Sequence, residues 1–181
     1  KKRLDAMKKP KLFFFLLTLS ALALSPMRAS EPEENLYLTP QRLFHIARSI
    51  NKNLVCYDAN LVGGKLDTQK PLNVYWVNRE EHMGEKNGLS FIQRKMAYGY
   101  KVVAEGNNTS TVTLTAYDGR KLEICQQGAH YVCRTTINGK PAVLKYLYVK
   151  VNDRNPLSVD YVELHGESVS SKEKVTERIM N

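Results

Sequence analysis

Hydrophobic and polar residues alternate along much of the chain after residue 40, which is the pattern of half-buried β-strands. In RLFHIAR, residues 42–48, Leu43, His45 and Ala47 share one face, and Phe44 and Ile46 share the other. The runs NLVCYD and LNVYWVNR continue the pattern with β-branched and aromatic residues, which favour strands. We predict a strand in each of the three runs. A loop containing Gly63 and Pro71 separates the last two.

Six more strands are predicted from residue 100 onward. They cover Tyr100 to Ala104, Thr111 to Tyr117, Arg120 to Gln126, His130 to Ile137, Pro141 to Val151 and Leu157 to His165. Asp118-Gly119 and Asn138-Gly139 are dipeptides that favour tight hairpin turns, in which both central residues need positive φ. Connections this short cannot make the crossovers of parallel strands, so the pairing is predicted to be antiparallel. The predicted fold is all-β, an antiparallel meander that forms a barrel or a sandwich.

One short helix is predicted at about residues 90–98. Ser90 and Gln93 have the spacing of a capping box, and Gly99 suits the left-handed position that ends many helices. The helix has one hydrophobic face, formed by Leu89, Ile92 and Met96.

The first 29 residues predict export. Lys8, Lys9 and Lys11 precede an apolar run from Leu12 to Leu24, which is typical of a signal peptide and too short to span a bilayer. Cleavage is expected after Ala29, with a retained N-terminal anchor as the alternative. The mature protein would then be periplasmic or secreted.

The rest of the chain is predicted to be one domain. Residues 30–36 are an acidic, flexible lead-in, 37–167 the all-β domain, and 168–181 a charged tail that is frayed or loosely helical. The net charge is +9, but residues 1–29 carry five Lys, two Arg and one Asp, so only +3 remains after cleavage. No cluster of basic residues remains, which argues against nucleic-acid binding. No second apolar run is long enough to span a membrane after signal cleavage.

The segment LEICQQGAHYVC brings Cys125, His130 and Cys133 close in sequence. Three candidate ligands without a C-x-x-C pair match a zinc site poorly, and export favours oxidation of thiols. A Cys125–Cys133 disulfide is the preferred interpretation, and it requires a hairpin loop with an odd number of residues. A bridge that uses Cys56, or free buried thiols, are the alternatives.

Sequence motifs give no catalytic residue, metal site or cofactor. The chain has no G-x-S-x-G motif, and Ser90 is followed by Arg94 and Lys95 at the wrong spacing for a Ser/Lys pair. No histidine lies beside Cys56 by local spacing. The acidic segment NREEHMGEKNG lacks the alternating oxygen ligands of a calcium loop. We interpret it as a solvated loop.

Aromatic residues give the best indication of a binding site. The ten tyrosines and the single tryptophan are concentrated in predicted strands, and from Lys145 to Val151 aromatic and aliphatic positions alternate. A tyrosine face with polar tips suits a ligand, although tyrosine also covers the outer faces of many sheets. The predicted ligand-binding residues are Trp76, Arg79, Arg94 and Tyr98.

Four segments resemble an exported bacterial family known as domain of unknown function 4833. They are HIARSINKNLVCYDAN, PLNVYWVNRE, QRKMAYGY and GKPAVLKYLYVKVNDRNPLSVDYVELHG. The resemblance extends from about Leu36 to Gly166 and implies a single exported domain. It carries over no functional residue.

Taken together, these patterns predict an exported domain that binds a ligand or acts as an accessory or interaction domain in the cell envelope. The ligand would be a small molecule, a glycan or a protein. The alternative is a hydrolase acting on envelope polymers or glycans, and binding is preferred because no pair of catalytic groups is evident.

Overall fold

The structure is a computed structural model, and it describes residues 39–180. The predicted signal peptide and the predicted lead-in lie outside the described residues. Strands of the first half are β1 (Arg42–Arg48), β2 (Asn51–Ala59), β3 (Leu61–Val62), β4 (Lys65–Leu66), β5 (Leu72–Val77) and β6 (Lys86–Gly88). Helix α1 (Phe91–Gln93) follows and continues directly into a π-helical turn, Arg94–Tyr98. Strands of the second half are β7 (Tyr100–Gly106), β8 (Thr109–Leu114), β9 (Tyr117–Gln127), β10 (His130–Ile137), β11 (Lys140–Val151), β12 (Val159–Ser168) and β13 (Lys174–Met180).

Eleven of these strands form one sheet, and β3 and β4 form a small hairpin. The main path runs β6-β5-β2-β1-β11-β10-β9-β8-β7, and β12 joins the other edge of β11 with β13 beyond it. The predicted all-β class with one short helix is therefore confirmed. Each strand from β8 to β12 is antiparallel to the one before it, as predicted. The unpredicted strand β13 is likewise antiparallel to β12.

Strand β11 is the branch point of the sheet. Its first residues pair with β10, whereas Tyr146 to Val149 pair with β1 on the same edge. The β1–β11 pair is parallel, which the predicted antiparallel meander did not include. The sheet therefore divides into two arms at β11, and the main hydrophobic core contains residues from both arms. Its fully buried side chains include Phe44, Val55, Tyr57, Val112, Ile124, Cys133, Ile137 and Leu144.

One of the two predicted dipeptide turns is present. Asn138 and Gly139 have φ of 49° and 74° and join β10 to β11, as expected for a tight hairpin. Asp118-Gly119 does not form a turn, because both residues lie within β9. The chain reverses earlier, at Thr115 and Ala116, whose amides donate to the carbonyls of Gly99 and Ala97.

Only part of the predicted helix is α-helical, because the segment changes to a π-helical turn after Gln93. The capping box between Ser90 and Gln93 is present in both directions. After Gln93 the helix widens into the π-helical turn, and Gly99 is extended, with φ of −70°. Glycine is required at 99 for another reason: a Cβ there would lie 2.1 Å from the carbonyl oxygen of Arg94.

The C-terminal segment is part of the sheet. Lys174 to Met180 form β13, which is paired along its length with β12, and Val175 and Ile179 pack against the core. The prediction of a frayed or helical tail was therefore wrong for these residues. Within residues 39–180, no helix has the length and apolar character needed to cross a membrane.

Candidate binding cleft

A cleft opens where strands β9 and β10 separate. The two strands pair from the hairpin loop only as far as Glu123 and Arg134, whereas β10 continues from Arg134 to Ile137 paired with β11 on its other edge. The gap leaves a cleft of about 710 Å³, a size typical of small-molecule sites. The lining residues come from β9, β10, the start of β11 and the β12–β13 region: Gly119, Arg120, Lys121, Glu123, Arg134, Thr135, Thr136, Gly139, Pro141, Val169 and Glu177.

An ion pair between Arg120 and Glu177 joins β9 to β13 inside the cleft. Arg120 Nη2 lies 2.7 Å from Glu177 Oε1, and Nη1 lies 3.1 Å from Oε2, so the contact is bidentate. The backbone N–H of Asn138 also donates to Glu177 Oε2, at 2.6 Å. Arg120 Nη1 further donates to the carbonyl oxygen of Thr136. Burial opposes ionisation of Glu177, but these bonds outweigh it and lower the pKa of its carboxyl group.

Side chains also form hydrogen bonds where the backbone pairs between β9 and β10 are missing. The Thr135 hydroxyl donates to the carbonyl oxygen of Lys121 at 2.9 Å, in place of a strand-to-strand amide bond. Arg134 donates to Gln127 Oε1 at 3.2 Å, but its Nε is buried and has no hydrogen-bond partner among the described residues. Glu123 lies opposite Arg134 in the strand register. The cleft thus presents cationic groups, hydroxyl groups and carboxylates together.

Two of the four predicted ligand-binding residues meet each other, at a different place from the cleft. The rings of Trp76 and Tyr98 are 5.3 Å apart and nearly perpendicular. Arg48, which the sequence analysis did not select, lies over the Trp76 ring at 4.8 Å and donates to the Tyr98 hydroxyl at 2.9 Å. Trp76 Nε1 and Arg48 Nε are buried without hydrogen-bond partners among the described residues.

The other two predicted ligand-binding residues, Arg79 and Arg94, make different contacts. The Arg79 backbone N–H donates to Asn53 Oδ1, and its charge acts on His45 and Cys56. Because Tyr75 pairs with Cys56 and Trp76 with Val55, Cys56 and Trp76 lie on opposite faces of the sheet. Arg94 begins the π-helical turn, where its carbonyl oxygen accepts from the Gly99 N–H.

All three cysteines are free and buried in the structure. Only Gly128 and Ala129 separate β9 from β10, so Cys125 pairs with Val132 and Cys133 with Ile124. Cys125 and Cys133 therefore project from opposite faces of the hairpin, and the predicted disulfide is not formed. No group of three or more potential metal ligands occurs in residues 39–180.

The tyrosine face predicted around β11 is present as a stack of rings. Tyr146 lies between His45 and His165, with centroid separations of 5.4 and 4.2 Å and nearly parallel planes. His165 also contacts Glu163 and Thr176. The three rings stack on one another and form a packed layer. None of them lines the cleft.

Sequence reasoning missed the cleft because its residues are unremarkable in sequence. Arg120, Arg134 and Glu177 are widely spaced single charges, and each reads as a solvated position on a strand. The available signal was that Glu177 interrupts the apolar alternation of Val175 and Ile179, which makes a carboxylate face the protein interior.

Comparison with known proteins gives one result. Residues 44–178 match the family model described as "Domain of unknown function (DUF4833)". No curated protein and no solved structure matches the chain. The matched region begins in β1 and ends in β13, so it includes every strand that lines the cleft. The chain therefore belongs to the family Domain of unknown function (DUF4833).

Proposed function

We propose that this protein is an exported binding domain that holds an acidic glycan in the cleft between β9, β10 and β13. The observation that carries the proposal is the separation of β9 from β10, which opens a volume of about 710 Å³ lined by charged and hydroxyl side chains. A cleft of this size lies within the range of small-molecule sites, which combine a concave shape with a few placed polar groups.

The chemistry of the lining selects the class of ligand. Glu177 already neutralises Arg120, and Glu123 lies opposite Arg134 in the strand register. With Lys121 the lining holds three cations against two carboxylates, so one net positive charge remains to attract a negatively charged group. Thr136 and Glu123 offer a hydroxyl and a carboxylate for hydrogen bonds to sugar hydroxyl groups. A uronic acid oligomer presents both kinds of group. Export to the periplasm or beyond would bring the domain to such polymers.

Binding is favoured over hydrolysis of the same polymers. Glycosidic cleavage requires a carboxylic acid that stays protonated near neutral pH. The pKa of Glu177 is lowered instead, and its carboxylate already accepts three hydrogen bonds. It therefore suits the support of the cleft better than proton donation.

Calorimetric titration with oligogalacturonate tests the proposal. The neutral control ligand is a galactose oligomer, and inorganic phosphate serves as a control for simple anion binding. The double variant Lys121→Gln, Arg134→Gln should bind oligogalacturonate at least about tenfold more weakly, since each cation contributes a charge-assisted contact. Lys65→Gln, Arg154→Gln is the matched control, because it removes two exposed cations outside the cleft.

The possible results separate clearly. Tight binding of the uronate oligomer that only the cleft variant loses supports the proposal. Failure of the wild-type protein to bind the oligomer, equal loss in the control variant, or equal affinity for phosphate would overturn it.

A further inference from the structure

A second surface feature lies on the helical segment, away from the cleft residues. Phe91, Ile92 and Met96 are 76%, 71% and 69% exposed, although each is large and apolar. We call these three residues, with Arg94 and Lys95 between them, the helical patch. Isolated exposed apolar residues are common on protein surfaces, but three within six positions form a contiguous group.

The exposure of the helical patch is built into the fold and does not result from a frayed end. Both hydrogen bonds of the capping box between Ser90 and Gln93 fix the first turn. Tyr57, which is fully buried, donates its hydroxyl to the Tyr98 carbonyl oxygen at 2.9 Å and fixes the last turn. The Gly99 N–H also donates to the Arg94 carbonyl oxygen at 3.0 Å, which holds the end of the π-helical turn. The apolar side chains are therefore held outward.

The charged residues of the segment itself have one sign. From residue 89 to residue 104 the chain carries Arg94, Lys95 and Lys101, and no Asp or Glu. Lys95 Nζ lies 5.8 Å from the centre of the Phe91 ring, so a cation accompanies the most exposed aromatic side chain. Val103, in the strand that follows, is also exposed, at 48%.

We propose that the helical patch docks the domain onto an anionic phospholipid surface. Apolar side chains that project from a short rigid turn can enter the boundary between headgroups and acyl chains, and neighbouring Lys and Arg are attracted to negatively charged headgroups. A protein partner would require a matching acidic and apolar surface. A lipid surface supplies both properties without a shaped interface. This role is independent of the cleft and does not rest on the glycan proposal.

Vesicle flotation tests the proposal with two lipid compositions. One set of vesicles contains phosphatidylcholine alone, and the other contains phosphatidylcholine and phosphatidylglycerol in equal parts. The protein is purified in the form that the cell exports, and the variants are compared in that same form, so that any contribution of the N-terminal segment cancels. Wild-type protein should float with the anionic vesicles and lose most of this binding in high salt.

Two sets of variants locate the contact. Phe91→Ser, Ile92→Ser should reduce partition into anionic vesicles at least about tenfold. Arg94→Gln, Lys95→Gln should reduce it by about fivefold for each charge removed. The matched control is Val62→Ser, Leu157→Ser, which removes two apolar side chains that are 67% and 98% exposed elsewhere.

Three results would overturn the proposal. They are no flotation of the wild-type protein with anionic vesicles, equal flotation of the Phe91→Ser, Ile92→Ser variant and its control, and equal binding to neutral vesicles. Sedimentation of the same samples covers a further outcome: self-association that the patch variant abolishes would assign the patch to a second copy of the chain instead.

Discussion

At the residue scale, Asp58 shows how a single side chain joins neighbouring strands, because it lies in β2 and bonds residues of β1 and β5. Its carboxylate accepts from Thr39 Oγ1 at 3.0 Å, from Arg42 Nε at 2.5 Å and from the Tyr75 hydroxyl at 2.5 Å. The side chains of Arg42 and Asp58 are only 6% and 11% exposed. Burial first, and then the bond to Asp58, raises the pKa of Tyr75 to about 12. The group is thus a buried, fully bonded charge pair.

Asp58→Asn should therefore destabilise the protein strongly. The substitution keeps the size of the side chain but leaves the Arg42 charge buried without a counter-charge, which costs about 3 to 5 kcal/mol in comparable pairs. Urea unfolding measures the change in the free energy of unfolding. Asp153→Asn is the control: its partner is Lys150, its side chain is 82% exposed, and its loss should change stability by less than about 0.5 kcal/mol. Similar effects of the two substitutions would contradict the assignment of Asp58 as a structural charge.

His45 makes the stability of the fold depend on mild acid. Burial, with the nearby charges of Arg42 and Arg79, lowers the pKa of His45 to about 4 from an ordinary value of 6.5. The unfolded chain therefore binds a proton that the folded protein excludes. Stability is full above pH 6.5, falls as the pH decreases towards 4, and stops falling on this account below 4. The loss amounts to about 3 kcal/mol at most.

His45→Phe should remove this part of the acid sensitivity. Phenylalanine can still stack on Tyr146 and cannot be protonated, so the free energy of unfolding should change less between pH 7 and pH 5 than in the wild type. Urea unfolding at several pH values gives the comparison, with His82→Gln, an exposed histidine, as the control. The paired carboxylates Glu163 and Glu177 have lowered pKa values, and their contribution is lost only at more acidic pH. An unchanged slope in His45→Phe would refute the role of His45.

At the scale of elements, the β9–β10 hairpin shows how the length of a loop decides whether two cysteines can form a disulfide. A loop with an odd number of residues would have placed Cys125 opposite Cys133, but the loop has two residues, and the register shifts accordingly. The two thiols then point to opposite faces. Burial raises the pKa of all three cysteines, for Cys56 to about 11, so none is a ready nucleophile.

Alkylation of the purified protein should accordingly find three free thiols. In denaturant without reductant, mass spectrometry should show three alkyl groups added per chain, and under native conditions almost none, since all three sulfurs are buried. The Cys125→Ser variant is the control and should add two groups. A count of one in the denatured wild-type protein would show a disulfide, and peptide mapping that assigned it to Cys125 and Cys133 would overturn the register of the hairpin.

Most elements could be predicted from the sequence, and the exceptions have physical causes. Alternation located most of the longer strands because each faces the core on one side, and the capping box located the start of α1. Alternation missed β13, which was predicted as a tail, and the short strands β3, β4 and β6, which were predicted as loops. The turn at Asp118-Gly119 failed because contacts with Gly99 and Ala97 fix the reversal earlier. Leu89, Ile92 and Met96 were predicted to share one apolar face of the helix, and Ile92 and Met96 are exposed, since periodicity shows that side chains share a face and not what covers it.

At the scale of the whole molecule, contacts between distant strands decide where the cleft lies, and strand patterns do not give those contacts. Strands β9 to β13 follow chain order in the sheet, so β13 stands four strands away from β9. Glu177 in β13 nevertheless bonds Arg120 in β9, and both line the cleft with residues 134–141 and Val169. The parallel pair of β11 with β1, about a hundred residues earlier, likewise leaves no local signal. Short strand patterns can identify each segment but cannot bring the segments together.

Strand β13 lies at the edge of the sheet and packs against the core, so its removal should lower the stability of the whole domain. A chain that ends at Lys172 loses the apolar contacts of Val175 and Ile179 and the bond from Arg120 to Glu177. Burial of two aliphatic side chains alone contributes about 3 kcal/mol, which corresponds to a fall of roughly 10 °C in Tm for a domain of this size. Thermal unfolding followed by circular dichroism measures the difference. A chain that ends at Ile179 keeps these contacts and should unfold close to the wild-type temperature. Equal Tm values for the wild type and the shorter truncation would mean that β13 contributes nothing to the fold.

Because Glu177 also holds Arg120 in the cleft, the truncation at Lys172 should abolish oligogalacturonate binding even at temperatures where the remaining strands stay folded.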